Sequence, residues 1–244
     1  PLLGNRIYGF WGNLIDVLSV LATLVGLATS LGLGVQQVNA GLHFLFGVQI
    51  DVATQVTLIA AITGFATLSV MAGLDSGVKR LSQGNMILAA GFVLFLLLVG
   101  PTIYILGGFT QNLGYYVTIF PALSLWTETF RDTNWQGSWT VFYWAWWISW
   151  SPFVGMFIAR VSRGRTVREF VVCVLLIPSA VSVLWFTAFG GTAVSLINDS
   201  GMTSIAEAPL ELKLFEMLGG LPLASITSFI GIVLVIVFFV TSSD

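Results

Sequence analysis

Charge is what this chain most lacks. Only 8% of its 244 residues are Asp, Glu, Lys or Arg, where a soluble domain carries about 25%. With 57% hydrophobic residues and a mean hydropathy of +0.95, that scarcity excludes a soluble globular domain and predicts an integral membrane protein. The short alternating segments of an outer-membrane barrel are also missing, so the spans are expected to be helices, which satisfy their own backbone in lipid. Cysteine is nearly absent. Cys173 stands alone, which rules out an internal disulfide, and its apolar surroundings read as those of a small buried hydrophobe. The net charge of −2 gives no sign of a nucleic-acid partner, and none is expected. The chain starts at Pro1 and stops at Asp244 directly after an apolar run; both ends read as cut, so a fragment of a longer protein is expected.

Six apolar runs approach the roughly 20 residues that a span requires. They cover 15–35, 54–74, 86–108, 138–159, 169–190 and 223–243, within one transmembrane domain over 1–244. The few cations orient them. Arg6, the pair Lys79 and Arg80, and the run Arg160, Arg163, Arg165 and Arg168 fall in regions that alternate to one side; only Arg131 and Lys213 do not. That is the positive-inside pattern, with the basic side cytoplasmic. Most acids (Asp51, Glu128, Asp132, Asp199, Glu207, Glu211 and Glu216) fall on the other side. Between the third and fourth spans, YYVTIFPALSLWTETF mixes aromatics with polar residues, and an interfacial helix over 115–131 is expected there.

Ionisable groups are missing from the span centres, where they would mark a proton relay or ion path. His43 has no Cys, Asp or Glu at ligand spacing and reads as an interfacial or packing residue rather than a metal ligand. Nucleophile elbows, zinc-protease helices and phosphate loops are absent, so an enzyme is not expected.

What the chain has in abundance is aromatic. Residues 140–153 read TVFYWAWWISWSPF. At helical spacing Trp139, Tyr143, Trp146, Trp147, Trp150 and Phe153 share one face, while Trp144 points elsewhere. An interfacial belt accounts for Trp139 and Tyr143 but not for Trp147 and Trp150, which lie about ten residues, or roughly 15 Å, from the outer end of the span. Two readings stay open: helix packing, in which each buried indole N–H needs a partner, and a cage for a quaternary ammonium ion, which aromatic faces bind without a carboxylate. Pro152 deprives the Ile148 carbonyl of its helical partner, giving either a broken helix of the kind that builds transporter sites or a simple kink. Thr241 and Ser242 place adjacent hydroxyls on an apolar span, suited either to a hard cation or to bonds with their own helix.

The stretch GSWTVFYWAWWISWSPFVGMFIARVSRGRTVREF at 137–170 resembles the signature of the betaine/choline/carnitine transporter (BCCT) family. ATLVGLATSLGLG at 22–34, GVKRLSQGNM at 77–86, WFTAFGGTA at 185–193 and FFVTSSD at 238–244 agree with it. The resemblance implies an all-α, LeuT-like fold of two inverted five-helix repeats. This chain would hold the last three helices of the first repeat and the first three of the second, about six transmembrane helices. It implies a substrate contact at Trp147, with Trp146 and Trp150 as further contacts along the pathway. Phe238, Thr241 and Ser242 match one sodium site, and Thr23 and Phe153 match a second. Leu27 stands where sodium-coupled betaine carriers can place another Thr, which leaves the sodium stoichiometry open. Ser149, Ser151 and Pro152 keep the ISWSP form from which carnitine exchangers depart.

On this resemblance the expected function is secondary import of glycine betaine or a related quaternary-ammonium or sulfonium solute for osmoprotection. Na⁺ is the expected coupling ion, with no other cofactor, and the bacterial inner membrane is the expected location. Membrane lipids are expected to meet the basic run, and the family's assemblies allow a homotrimer. The alternatives are a proton-coupled choline carrier of the same family and a non-transporting sensor that reuses the fold.

Overall fold

The computed structural model describes residues 4–71, 79–131 and 133–243. Readings that touch Pro1, Gly77, Val78, Asp132 and Asp244 lie outside the described residues, and the side chains of Arg6 and Ser242 lie outside the described side chains. Among the described residues the regular elements are all helical. A short 3₁₀ turn, Gly4–Tyr8, precedes α1 (Phe10–Phe46), α2 (Val52–Met71), α3 (Lys79–Val99) and α4 (Thr102–Ser124). A π-helical turn, Gln136–Val141, leads into α5 (Phe142–Val161). Then follow α6 (Val167–Ser200), the short α7 (Ser204–Glu207) and α8 (Lys213–Gly219), and α9 (Ala224–Ser243).

The helix ends follow from local chemistry. Gly47, at φ +68°, closes α1 in the left-handed conformation, and its N–H donates to the His43 carbonyl at 2.8 Å. Asp51 caps α2 by accepting the Thr54 N–H at 2.7 Å. At the start of α6, Thr166 and Glu169 form a reciprocal capping box: the Thr166 N–H donates to Glu169 Oε2 at 3.0 Å and the Glu169 N–H to Thr166 Oγ1 at 3.2 Å.

Several boundaries differ from the sequence expectation: α1 and α6 continue past the ends expected at 35 and 190, to Phe46 and Ser200, and two further differences lie around α4. The run at 86–108 does not continue as one helix. It ends at Val99, and α4 begins at Thr102. Pro101 cannot donate to the Leu97 carbonyl, and Thr102 Oγ1 does so instead at 2.5 Å. The helix expected over 115–131 is therefore the second half of a longer helix that stops at Ser124. By length and composition five helices among the described residues can cross a membrane: α1, α2 over Val52–Ser69, α3, α6 and α9 over Ala224–Thr241. The sixth expected span, α5, has 20 residues, but its indole N–H groups and serines make it too polar for that set. α1, at 37 residues, is about 55 Å long and exceeds the thickness of a bilayer. Cys173 is exposed on α6 rather than buried.

The chain divides into two compact units, Pro1–Ser30 with Ile119–Val174, and Leu31–Thr118 with Leu175–Asp244. The second unit is organised around α9, which packs on α2, α3 and α8. Val35, Ile62, Ala66 and Val240 form one buried cluster; Val38, Phe215 and Ile232 form another. A third joins Phe92 and Leu96 of α3 to Ile105, Ala188, Ile205, Met217 and Leu218. α4 is tied to α6 by Asn112 Nδ2, which donates to Thr187 Oγ1 at 2.9 Å. Asn39 and His43 fasten the α1–α2 loop to α1: Asn39 Nδ2 donates to the Gln49 carbonyl at 3.0 Å, and His43 Nδ1 meets the Val48 carbonyl at 2.9 Å. His43 is exposed and holds the loop through this contact.

Close approach of α1 to α8 and α9 depends on Gly41. A Cβ there would lie 2.4 Å from Phe215 Cζ and 2.6 Å from Ile232 Cγ1, both on fully or nearly fully buried side chains. Gly41→Ala should therefore destabilise the full-length protein by about 1–3 kcal/mol through overpacking. Gly32→Ala, on the same helix with nothing within 4 Å, should not. Thermal unfolding in detergent compares the two; equal midpoints would remove Gly41 as a packing constraint.

Candidate functional site

The first unit contains α5 and the N-terminal part of α1. Trp146, Trp147, Trp150, Phe153 and Thr23 all belong to it, whereas Phe238, Thr241 and Ser242 belong to the second unit. Each group is built by its own helix.

α5 runs unbroken through Pro152. The Ile148 carbonyl, which the proline cannot serve, accepts the Ser151 Oγ hydrogen at 2.8 Å. Ser149 Oγ donates to the Ala145 carbonyl at 2.8 Å. Both serines of the ISWSP segment are thus engaged with their own helix, and the break that sequence left open is a continuous helix.

The aromatic rings pair along the helix. Trp139 stacks on Tyr143 with centroids 6.4 Å apart, Phe142 meets Trp146 edge-on at 5.6 Å, and Trp150 meets Phe153 edge-on at 5.7 Å. The π-helical turn through Trp139 changes the phase assumed from uniform α-helical spacing, so the stripe is regular only from Phe142 onward. The three candidate tryptophans have different surroundings. Trp147 is 66% exposed. Trp146 is half-buried beside Phe142. Trp150 is half-buried, and its indole Nε1 is buried without a hydrogen-bond partner.

Thr23 lies on α1, and its hydroxyl donates to the Ser19 carbonyl at 2.8 Å. Phe153 is 41% exposed on α5. On α9, Thr241 Oγ1 donates to the Phe238 carbonyl at 3.1 Å, so two oxygens expected at a sodium site are neighbours. These are neutral oxygens of the kind a hard monovalent cation accepts. Among the described residues no group of three or more His, Cys, Asp or Glu could hold a metal.

One residue of this unit escaped the sequence reading. Glu128, at φ +56°, turns its carboxylate onto the segment that opens α5. Its Oε1 accepts the N–H groups of Thr133 at 3.0 Å and Trp135 at 3.2 Å, together with the Thr133 hydroxyl, and its Oε2 accepts the Gln136 N–H at 2.8 Å. Trp126 and Trp135 close the same loop edge-on at 5.3 Å. The Thr133 hydroxyl, followed by these backbone donors, holds the Glu128 carboxyl below its ordinary value. Its only signal in sequence was an acid a few residues before an aromatic helix, which sequence alone cannot distinguish from a solvated charge.

Among the described residues the regular elements are helices, five of them long and apolar enough to cross a membrane, which is the architecture of a multi-pass membrane protein. Comparison with known proteins supports that class. The model of the betaine/carnitine/choline family transporters matches residues 1–244. A glycine betaine/proline/choline transporter of Vibrio parahaemolyticus is 60% identical over the whole chain, which covers 44% of that relative. The glycine betaine transporter of Bacillus subtilis is 46% identical over the whole chain and 48% of its own length. An ectoine/glycine betaine/proline transporter of Corynebacterium glutamicum is 45% identical over the whole chain and 40% of its own length. The chain belongs to the betaine/carnitine/choline transporter family, whose members are transporters with the LeuT-like fold and not enzymes. It spans less than half the length of these curated relatives.

The Glu128 anchor has a pH signature. A carboxylate whose folded pKa is depressed contributes stability that is fully present above its ordinary value of 4.5 and is lost as pH falls through the lower folded value. Amide protection over 133–136, corrected for intrinsic exchange, should fall in that acid range. It should already be low at neutral pH in Glu128→Gln, whose amide cannot accept all the same donors. Unchanged protection in the variant would show that the loop holds without the carboxylate.

Proposed function

We propose that a carrier containing this chain imports glycine betaine or a closely related quaternary-ammonium or sulfonium solute across the bacterial inner membrane, coupled to Na⁺ by alternating access. The observation that carries this reading is Trp147: a 66% exposed indole on the aromatic face of α5. Trp139, Trp146 and Trp150 are each engaged with a neighbouring ring, while Trp147 keeps much of its surface open. A permanently charged ammonium with no N–H to donate is held by such a face through cation–π attraction. Glycine betaine is also named for each of the three relatives above.

Under this reading Trp147 is the substrate contact, with Trp146 directly before it and Trp150 about one turn after it as further contacts. The Phe238 carbonyl and Thr241 hydroxyl would hold Na⁺, with Ser242 beside them. The inward Na⁺ gradient and the membrane potential would drive uptake. Thr23 and Phe153 are the proposed contribution to a second sodium position. A homotrimer, anionic lipids along Arg160, Arg163, Arg165 and Arg168, and a role in osmoprotection belong to the same proposal.

The test is uptake of labelled glycine betaine by the full-length protein in proteoliposomes, with an inward Na⁺ gradient and with K⁺ replacing Na⁺. Trp147→Ala should raise KM about 30-fold, the equivalent of one desolvated cation–π contact of about 2 kcal/mol. Thr241→Ala should shift Na⁺ activation to about tenfold higher concentration while leaving substrate recognition largely intact. Uptake that ignores Na⁺ and follows a proton gradient would instead assign a proton-coupled choline-type carrier. Betaine binding without flux under any gradient would assign a sensor.

A further inference from the structure

We propose that Gly26 of α1 is a positioning residue for the substrate site: its missing side chain is the seat on which the Trp150 indole rests. This inference rests on the function proposed above, because it concerns the same aromatic face.

Gly26 is buried. A Cβ built on it would lie 3.1 Å from Ser149 Cβ and 3.2 Å from both Cδ1 and Nε1 of Trp150. The first neighbour cannot retreat without moving the α5 backbone. The second is a rigid ring, met from elsewhere by the edge of Phe153 with centroids 5.7 Å apart. The indole N–H offers no alternative anchor, because Nε1 is buried without a hydrogen-bond partner. Trp150 is therefore oriented by shape alone, and α1 supplies that shape at Gly26.

Trp150 lies three residues after Trp147 and four after Trp146, so all three side chains occupy neighbouring turns of one helix face. A methyl group at position 26 would require the Trp150 indole or Ser149 to give way by a few tenths of an ångström, on the helix that carries the proposed solute contact. The same contact joins the two helices that carry Thr23, three residues before Gly26, and Phe153, three residues after Trp150. Other helical glycines on α1 differ in what they face: Gly32 has open space, and Gly41 abuts Phe215 and Ile232 of the other unit's core.

The experiment is a double-mutant cycle in the full-length carrier with Gly26→Ala, Trp150→Phe and the pair, reading betaine KM, maximal uptake rate and the betaine-induced shift in unfolding temperature. Gly26→Ala should raise KM about tenfold and shrink the ligand-induced shift, as expected for a small misplacement beside a binding site. In the double variant the smaller ring can withdraw, so KM should return close to that of Trp150→Phe alone, a clearly non-additive result. A Gly26→Ala variant that loses thermal stability but keeps wild-type KM and ligand-induced shift would make Gly26 a packing residue and overturn the proposal. Additive effects would overturn it as well. If Gly26→Ala does not accumulate as folded protein, recovery of folded yield by Trp150→Phe, with KM equal to that single variant, supports the seat, and no recovery sinks it. Absence of betaine uptake by the wild-type carrier would sink the function reading instead; the unfolding temperatures of the same cycle would still report whether Gly26 and Trp150 are coupled.

Discussion

In a hydrocarbon setting a backbone carbonyl without a donor has no water to turn to, and the helices of this chain are arranged around that constraint. Pro101 and Pro152 both remove an N–H from an apolar stretch, and in both places an adjacent hydroxyl replaces it. Thr102 Oγ1 serves the Leu97 carbonyl, and Ser151 Oγ serves that of Ile148. The outcomes differ because the geometry of the repair differs. At Pro101 the hydroxyl comes from the following residue and the chain restarts as a new helix. At Pro152 it comes from the preceding residue, one turn from its acceptor, and the helix continues. The aromatic face of α5 depends on that continuity, since a break at Pro152 would separate Phe153 from Trp150.

Close helix approach is the second organising element, and it has different consequences in the two units. At Gly41 the absent side chain admits Phe215 and Ile232 into a buried core. At Gly26 it admits a tryptophan that belongs to the candidate binding face. Membrane helices use small residues because backbones must come close to gain van der Waals contact without a hydrophobic driving force. The same device can set the orientation of a neighbouring ring, and an indole with an unpartnered N–H is the ring most dependent on it.

The helical, membrane-embedded character of the chain was legible in composition alone, because so few charges and such long apolar runs have one common solution. Positions were less legible where the physics is local. The end of α3 at Val99 depends on which hydroxyl reaches the Leu97 carbonyl, a matter of side-chain geometry rather than hydropathy. Periodicity gathered Trp146, Trp147 and Trp150 onto one face and could not rank them, since the ranking depends on what faces each ring: Phe142, open surface, or Gly26 of another helix. Glu128 stayed invisible because its partners are backbone N–H groups, which no sequence pattern displays. Thr241 shows the reverse. Its hydroxyl bonds to its own helix, as the local reading expected, and the acceptor is the Phe238 carbonyl, the oxygen with which it would share a cation.

Under the proposed function, the scarcity of charge noted at the outset becomes a selectivity argument. A carboxylate at the site would attract any cation, including K⁺ and Na⁺, and its own burial would have to be offset before it bound anything. An aromatic face attracts more selectively. It competes poorly for small ions that hold their water tightly and well for a bulky onium ion whose methyl groups hydrate weakly. Neutral oxygens such as Thr241 Oγ1 and the Phe238 carbonyl do the converse, replacing the hydration shell of a small hard ion and offering little to a methylated one. Under that reading Trp147 on α5 would favour the solute, and the Phe238 carbonyl and Thr241 hydroxyl on α9 would favour the coupling ion. Neither chemistry draws on a charged side chain among these residues, so neither adds the cost of burying one.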